Sequence, residues 1–211
     1  MIPAKDALKL LRDGNARFVA EVRDETNSTG ISRRRELAAG QEPFAIILGC
    51  SDSRVPAEIV FDQGLGDLFV IRVAGNIVAP SQIESVEFAA ERFHTRLVVV
   101  LGHSNCGAIL ATLEELVLPR DQRSKSLRSI VDRVRPSVES LLGERHSTED
   151  LVHHAVRANI RVSVNQLRHG SELLEQMIKD HELMVVGAEY SLETGVVDFF
   201  DGVPDESASL S

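Results

Sequence analysis

Three apolar runs limit what this chain can fold into. They read AIILGC at 45–50, LFVIRVA at 68–74 and LVVVLGH at 97–103. Each is rich in β-branched residues, and none alternates apolar with polar. A strand without alternation is covered on both faces, as strands are in a parallel sheet sandwiched between helices. Two further runs, LMVVGAEY at 183–190 and GVVDFF at 195–200, read as strands four and five. Only SLETG separates them, too short for a crossover, so they are expected to form an antiparallel hairpin.

Between the strands the apolar period becomes helical. SQIESVEFAAERF at 81–93, the stretch 106–117, the pair 124–142 and 149–168, and SELLEQMIKD behind the N-cap Ser171 all carry it. The order β-α-β-α-β-α-β-β predicts an α/β fold, a mostly parallel sheet of four parallel strands plus an antiparallel edge strand, flanked by helices. No internal repeat or low-complexity linker divides the 211 residues, a length that suits a single domain over 1–211. Residues 1–30 read as an N-terminal helical arm, with an amphipathic helix over 4–20 suited to packing on a partner subunit. Residues 201–211 read as a polar, flexible tail.

Charge narrows the function classes. The chain carries 23 Lys and Arg against 32 Asp and Glu, a net −9, which disfavours nucleic acid because phosphate contacts need clustered cations. No apolar run approaches the ~20 residues of a membrane span, and the charged N-terminal stretch lacks the apolar core of a secretory signal. These features place the expected protein in the cytoplasm, acting on a small substrate. The only cysteines are Cys50 and Cys106, which leaves open one bridge or a shared metal.

Ligands of open parallel sheets bind beyond the carboxyl ends of the strands. Strand one ends in GCSDSR and strand three in GHSNCGA, two polar clusters at the same sheet edge. If these strands are neighbours, Cys50, Asp52, His103 and Cys106 converge. Two thiolates, an imidazole and a carboxylate suit tetrahedral zinc. His103 and Cys106 are spaced to share one turn, Gly102 and Gly107 beside them permit close backbone approach, and a helix starting near Cys106 favours its thiolate. A lone cysteine at a strand end is ordinarily a small buried hydrophobe, and HxxC alone is short. The pairing of HxxC with CxDxR at the end of a second buried strand is the stronger signal.

Other candidates read as ordinary structure. His146, His153 and His154 lack acidic or cysteine partners at ligand spacing and read as surface residues. GLGDLF at 64–69 lacks the last glycine and following helix of a phosphate loop, so it is a turn into strand two. SRRRE at 32–36 reads as a solvated helix start.

The motifs LRDGNARF, GCSDSRVPAEIVFDQGLGDLFVIRVAGN, SVEFA, LGHSNCGA and GAEYSLETG together resemble the β-class carbonic anhydrases over nearly the whole chain. The resemblance implies a zinc enzyme that interconverts CO₂ and bicarbonate, with Cys50, His103 and Cys106 as zinc ligands and one Zn²⁺ per subunit. It makes Asp52 a gate, paired with Arg54 in an open site and ligating the metal in a closed one. Zinc lowers the pKa of a bound water towards ~7, although two thiolates weaken that effect relative to an all-histidine site. Gln41, Phe69, Ala74 and Phe88 match the substrate pocket, with Phe88 where the family often has Tyr and Ala74 where Val is common.

The family's other site type is a noncatalytic bicarbonate site of Trp, Arg and Tyr. Arg72 and Tyr190 match two of these positions, but Ile47 stands at the Trp position and the chain contains no Trp. The expectation is therefore an open-type site, with Arg72 and Tyr190 structural: Arg72 paired to a carboxylate at a subunit interface, Tyr190 capping the edge hairpin. The resemblance further implies a homo-oligomer, a dimer at least and in some members a tetramer, whose pocket takes Gln and aromatic residues from the neighbouring subunit. Competing readings keep the zinc but change its use, to carbon disulfide or carbonyl sulfide hydrolysis or to a structural role. A redox pair of Cys50 and Cys106 is the weaker alternative, since there is no CxxC.

Overall fold

A computed structural model describes residues 2–24, 30–143 and 147–204 of the chain. His146, part of the expected arm and most of the expected tail lie outside them. Five strands, β1 (Ala45–Gly49), β2 (Leu68–Arg72), β3 (Leu97–His103), β4 (Met184–Tyr190) and β5 (Val197–Asp201), form one sheet in the order β2-β1-β3-β4-β5. The first four are parallel, and β5 pairs antiparallel with β4 across the short turn. The expected topology holds, with strand ends moved by one or two residues.

Both faces of the central strands β1, β3 and β4 are buried, which is why their sequences do not alternate. Ile46, Leu48, Val98 and Val100 point to one apolar cluster; Ala45, Ile47, Val99 and Leu101 point to the other. The first face is covered by α4 (Pro80–Arg92), α5 (Gly107–Val117), α6 (Arg128–Val138), α7 (Thr148–His169) and α8 (Glu172–Lys179). The opposite face carries α1 (Ala4–Val19) and the short α3 (Ala57–Val60), while α2 (Ile31–Leu37) lies outside both clusters. Ser147 and Ser171 cap α7 and α8 by accepting the N–H of Asp150 and Leu174.

Two local readings change. The helix expected over 124–142 begins only at Arg128 and ends in a 3₁₀ turn, Glu139–Gly143. The Ser124 N–H bonds to the Glu115 carboxylate at 2.8 Å, which ties the preceding segment to the end of α5 instead. The first helix, read as an arm, lies on its own chain with Ala7, Leu8 and Leu11 buried. Buried Asn15 fastens it: its Nδ2 donates to the carbonyls of Val60 (3.1 Å) and Gly195 (2.8 Å), and its Oδ1 accepts the N–H of Val197 (2.8 Å).

β1 connects to β2 on one side, and β3 pairs with β1 on the other. The chain's direction of winding reverses between β1 and β3, the place where open α/β sheets bind ligands beyond the carboxyl ends. In register, Gly49 stands opposite Leu101, so Cys50 emerges level with the last residues of β3.

Candidate metal centre

Each member of the Cys/His/Cys group owes its place to the end of an element. Cys50 follows β1, His103 ends β3, and Cys106 is the N-cap of α5. Their ligand atoms all lie within 4.8 Å of one another, and all three residues are buried. Among the described residues no other group of His, Cys, Asp and Glu meets that geometry.

The geometry passes a test for zinc. Two thiolates about a tetrahedral zinc stand about 3.8 Å apart; the Cys50 and Cys106 Sγ atoms are 3.9 Å apart and both cysteines are free. His103 Nδ1 lies 2.9 Å from the Ser104 carbonyl. A carbonyl only accepts, so Nδ1 carries the proton and Nε2 keeps its lone pair. That Nε2 is fully buried with no hydrogen-bond partner, in a pocket with the two sulfurs. A buried polar atom left bare is costly unless a ligand satisfies it.

The two sulfurs lie within hydrogen-bond distance of each other. The hydrogen bond with the Cys106 sulfur, opposed by burial and aided by the Gly75 N–H, lowers the Cys50 pKa. The same hydrogen bond, with burial, pushes Cys106 far up, against the backbone amides of Ile109 and Ala108 at the start of α5. The Gly75 N–H reaches the Cys50 sulfur at 3.4 Å from a 3₁₀ turn, Ala74–Asn76, where Gly75 has φ +72°, a conformation glycine adopts freely.

Asp52 does not join the three ligands. Its Oδ1 accepts Arg54 Nε at 2.9 Å and its Oδ2 accepts Arg54 Nη2 at 2.7 Å, a two-pronged bond supported by the Arg54 N–H at 3.0 Å. This bond to Arg54 holds the Asp52 carboxyl well below the usual carboxylate range. Oδ2 remains 3.8 Å from His103 Nε2, beside the ligand group but turned to the guanidinium.

Two residues act in ways that sequence reasoning missed. Arg72, at the end of β2, donates from Nε to the Cys50 carbonyl (3.0 Å) and from Nη2 to the Asp52 carbonyl (2.6 Å). It therefore grips the backbone of the Cys-Ser-Asp turn, where a carboxylate partner was expected. Glu193, in the β4–β5 turn, accepts from Ser104 and Asn105 between His103 and Cys106. Backbone carbonyls carry no sequence signature, and the Glu193 partners are remote in the chain. Tyr190 is buried against Phe18 and pairs with Val197 in the hairpin, its pKa raised by burial. Ile47 is fully buried in the core at the position where a Trp was in question.

Of the four expected pocket residues, Ala74 lies next to Gly75, whose N–H bonds the Cys50 sulfur, and the other three gather around Phe93. Phe69, Phe88 and Phe93 stack together at 5.5–6.2 Å between centroids. Gln41 shares a shallow cleft of about 580 Å³ with Phe93, Leu37 and Gly66. Phe69 stands three residues back along edge strand β2 from Arg72, about 10 Å at strand rise. Gly102 and Gly107 also differ from each other: a Cβ on Gly102 would meet Ile160 Cδ1 at 2.5 Å, whereas one on Gly107 would meet nothing within 4 Å. His153 faces Glu189 at 3.7 Å within an ion-pair group with Arg157 and Asp198. Arg33 of the basic run bonds Asp67 at the turn into β2.

Known proteins match over this whole arrangement. A family profile described as carbonic anhydrase matches residues 45–197. Carbonic anhydrase 2 of Mycobacterium tuberculosis strain H37Rv is 41% identical, covering 90% of this chain and 89% of that protein. A carbonic anhydrase of Mycolicibacterium smegmatis is 42% identical over 91% of each. Among solved structures, the β-carbonic anhydrase CafA of Aspergillus fumigatus superposes with a TM-score of 0.73 at 26% identity, covering 84% of both chains. The Coccomyxa β-carbonic anhydrase in complex with acetazolamide gives 0.70 at 25% identity, covering 99% of this chain and 92% of its own.

Proposed function

We propose, for a chain that belongs to the carbonic anhydrase family in its β class, that Cys50, His103 and Cys106 hold one zinc ion per subunit and that the site interconverts CO₂ and bicarbonate. The observation that carries this reading is Asp52 fastened to Arg54 beside three convergent ligands, a three-ligand set of the catalytic kind and not a four-ligand structural one. What zinc supplies when held there is an acidified water, the nucleophile that CO₂ hydration requires at neutral pH.

The chain's own residues do the rest. Asp52 Oδ2 stands beside the ligand group and accepts a hydrogen bond from the reacting water, turning its lone pair towards CO₂. Arg54 keeps Asp52 ionised and fixes its plane. Arg72 fixes the turn that carries both Cys50 and Asp52. Gln41, Phe69 and Phe88 gather around Phe93 with the Phe88 ring exposed, which favours a homo-oligomer in which they line the CO₂ pocket of the neighbouring subunit.

The test is Cys106→Ser, measured for zinc content and CO₂ hydration on folded protein. The expected result is loss of both. Retention of zinc and rate in that variant means the ligand set is wrong.

A further inference from the structure

The segment His103-Ser104-Asn105-Cys106 carries two of the three ligands, and a single carboxylate outside the site holds it. Glu193 reaches across from the β4–β5 turn. Its Oε2 accepts Ser104 Oγ at 3.0 Å and Ser191 Oγ at 3.2 Å, and its Oε1 accepts Asn105 Nδ2 at 3.0 Å. The Ser104 hydroxyl in turn accepts the Leu192 N–H at 2.9 Å, and the Ser104 N–H donates to the Tyr190 carbonyl at 2.9 Å. The segment needs such a hold, because Asn105 sits at φ +52°, a left-handed conformation that persists when its surroundings fix it. The Asn105 carbonyl also accepts Arg54 Nη2 at 3.4 Å, so the same residue touches the Asp52–Arg54 pair.

We propose that Glu193 is a positioning residue for the metal centre: by holding Ser104 and Asn105 it keeps His103 and Cys106 aimed at Cys50 and sets how tightly the group retains zinc. The inference rests on the zinc reading above. Glu193 touches neither metal ligand nor reacting atoms. Its carboxylate is exposed, yet both oxygens are engaged with the one loop that joins two ligands. Partners bonded directly to a metal ligand change metal affinity by about 10- to 100-fold when removed; the Ser104 carbonyl, against His103 Nδ1, is such a partner, and Glu193 holds Ser104.

The experiment compares wild type, Glu193→Ala and Glu193→Gln in their zinc-loaded forms. Zinc affinity is read by competition with a chromophoric chelator, coordination geometry by the visible spectrum of the cobalt-substituted proteins, and global stability by thermal unfolding. The expected affinity order is wild type, then Glu193→Gln, then Glu193→Ala, with the Ala variant about 10-fold or more weaker and its cobalt spectrum altered. Glutamine keeps one acceptor oxygen and so restores part of the hold. Wild-type affinity in Glu193→Ala overturns the proposal. So does a lowered unfolding temperature with affinity and cobalt spectrum unchanged, since that marks a brace of the fold alone. Failure of the wild type itself to bind zinc refutes the metal reading instead, so the two failures are told apart.

Discussion

At the scale of single residues, Asp52 is the group on which the site turns. Its carboxyl pKa is lowered by the bond to Arg54. A carboxyl lowered on folding contributes stability that is fully present above its ordinary pKa of about 4 and is lost progressively as pH falls from there through the lowered value. Acid of pH 5 or above therefore leaves the Asp52–Arg54 pair ionised and intact. Asp52→Ala removes the acceptor without touching Cys50, His103 or Cys106. The expected outcome is full zinc content with CO₂ hydration reduced by about 100-fold, measured by stopped flow beside metal analysis. Undiminished activity in this variant refutes the role given to Asp52. The convergence of Cys50, His103 and Cys106 and the Asp52–Arg54 pair were legible in the sequence because CxDxR and HxxC each confine their chemistry to a few consecutive positions. Arg72 and Glu193 were not, because their partners are carbonyls and loop side chains brought together only by folding.

At the scale of elements, the sheet was legible because the strands are apolar on both faces and the helices keep their period. Their ends were less so, as the late start of α6 shows: the Glu115 carboxylate near the end of α5 takes the Ser124 N–H. The contact between β3 and α7 is the closest test of the packing behind the metal group. Gly102 has no side chain because fully buried Ile160 occupies that space, with its Cδ1 2.5 Å from a virtual Cβ. Gly102→Ala should cost about 1–3 kcal/mol by overpacking. In a chain of this size that lowers the unfolding temperature by roughly 2–4 °C per kcal/mol, read by calorimetry. An unchanged temperature means α7 yields freely at this point. Gly107→Ala, with open space around it, should show no steric cost.

At the scale of the whole molecule, the winding of the sheet puts the site at the carboxyl ends of β1 and β3, while Gln41, Phe69 and Phe88 gather around Phe93. Sequence resemblance named these residues but gave no position for them in the single chain, since their expected role lies across a subunit boundary. Phe88 is exposed as a large apolar ring, so Phe88→Arg is expected to shift a dimer or larger assembly towards monomer and to lower the rate with zinc retained. Sedimentation of wild type as a monomer contradicts the shared pocket. The measurement that bears most directly on the whole reading is CO₂ hydration across about pH 6.5 to 9 on wild-type protein of known zinc content. With Asp52 held by Arg54, the rate is already high near pH 7. A rate that appears only above about pH 8, with zinc present throughout, contradicts it by placing Asp52 on the metal at neutral pH.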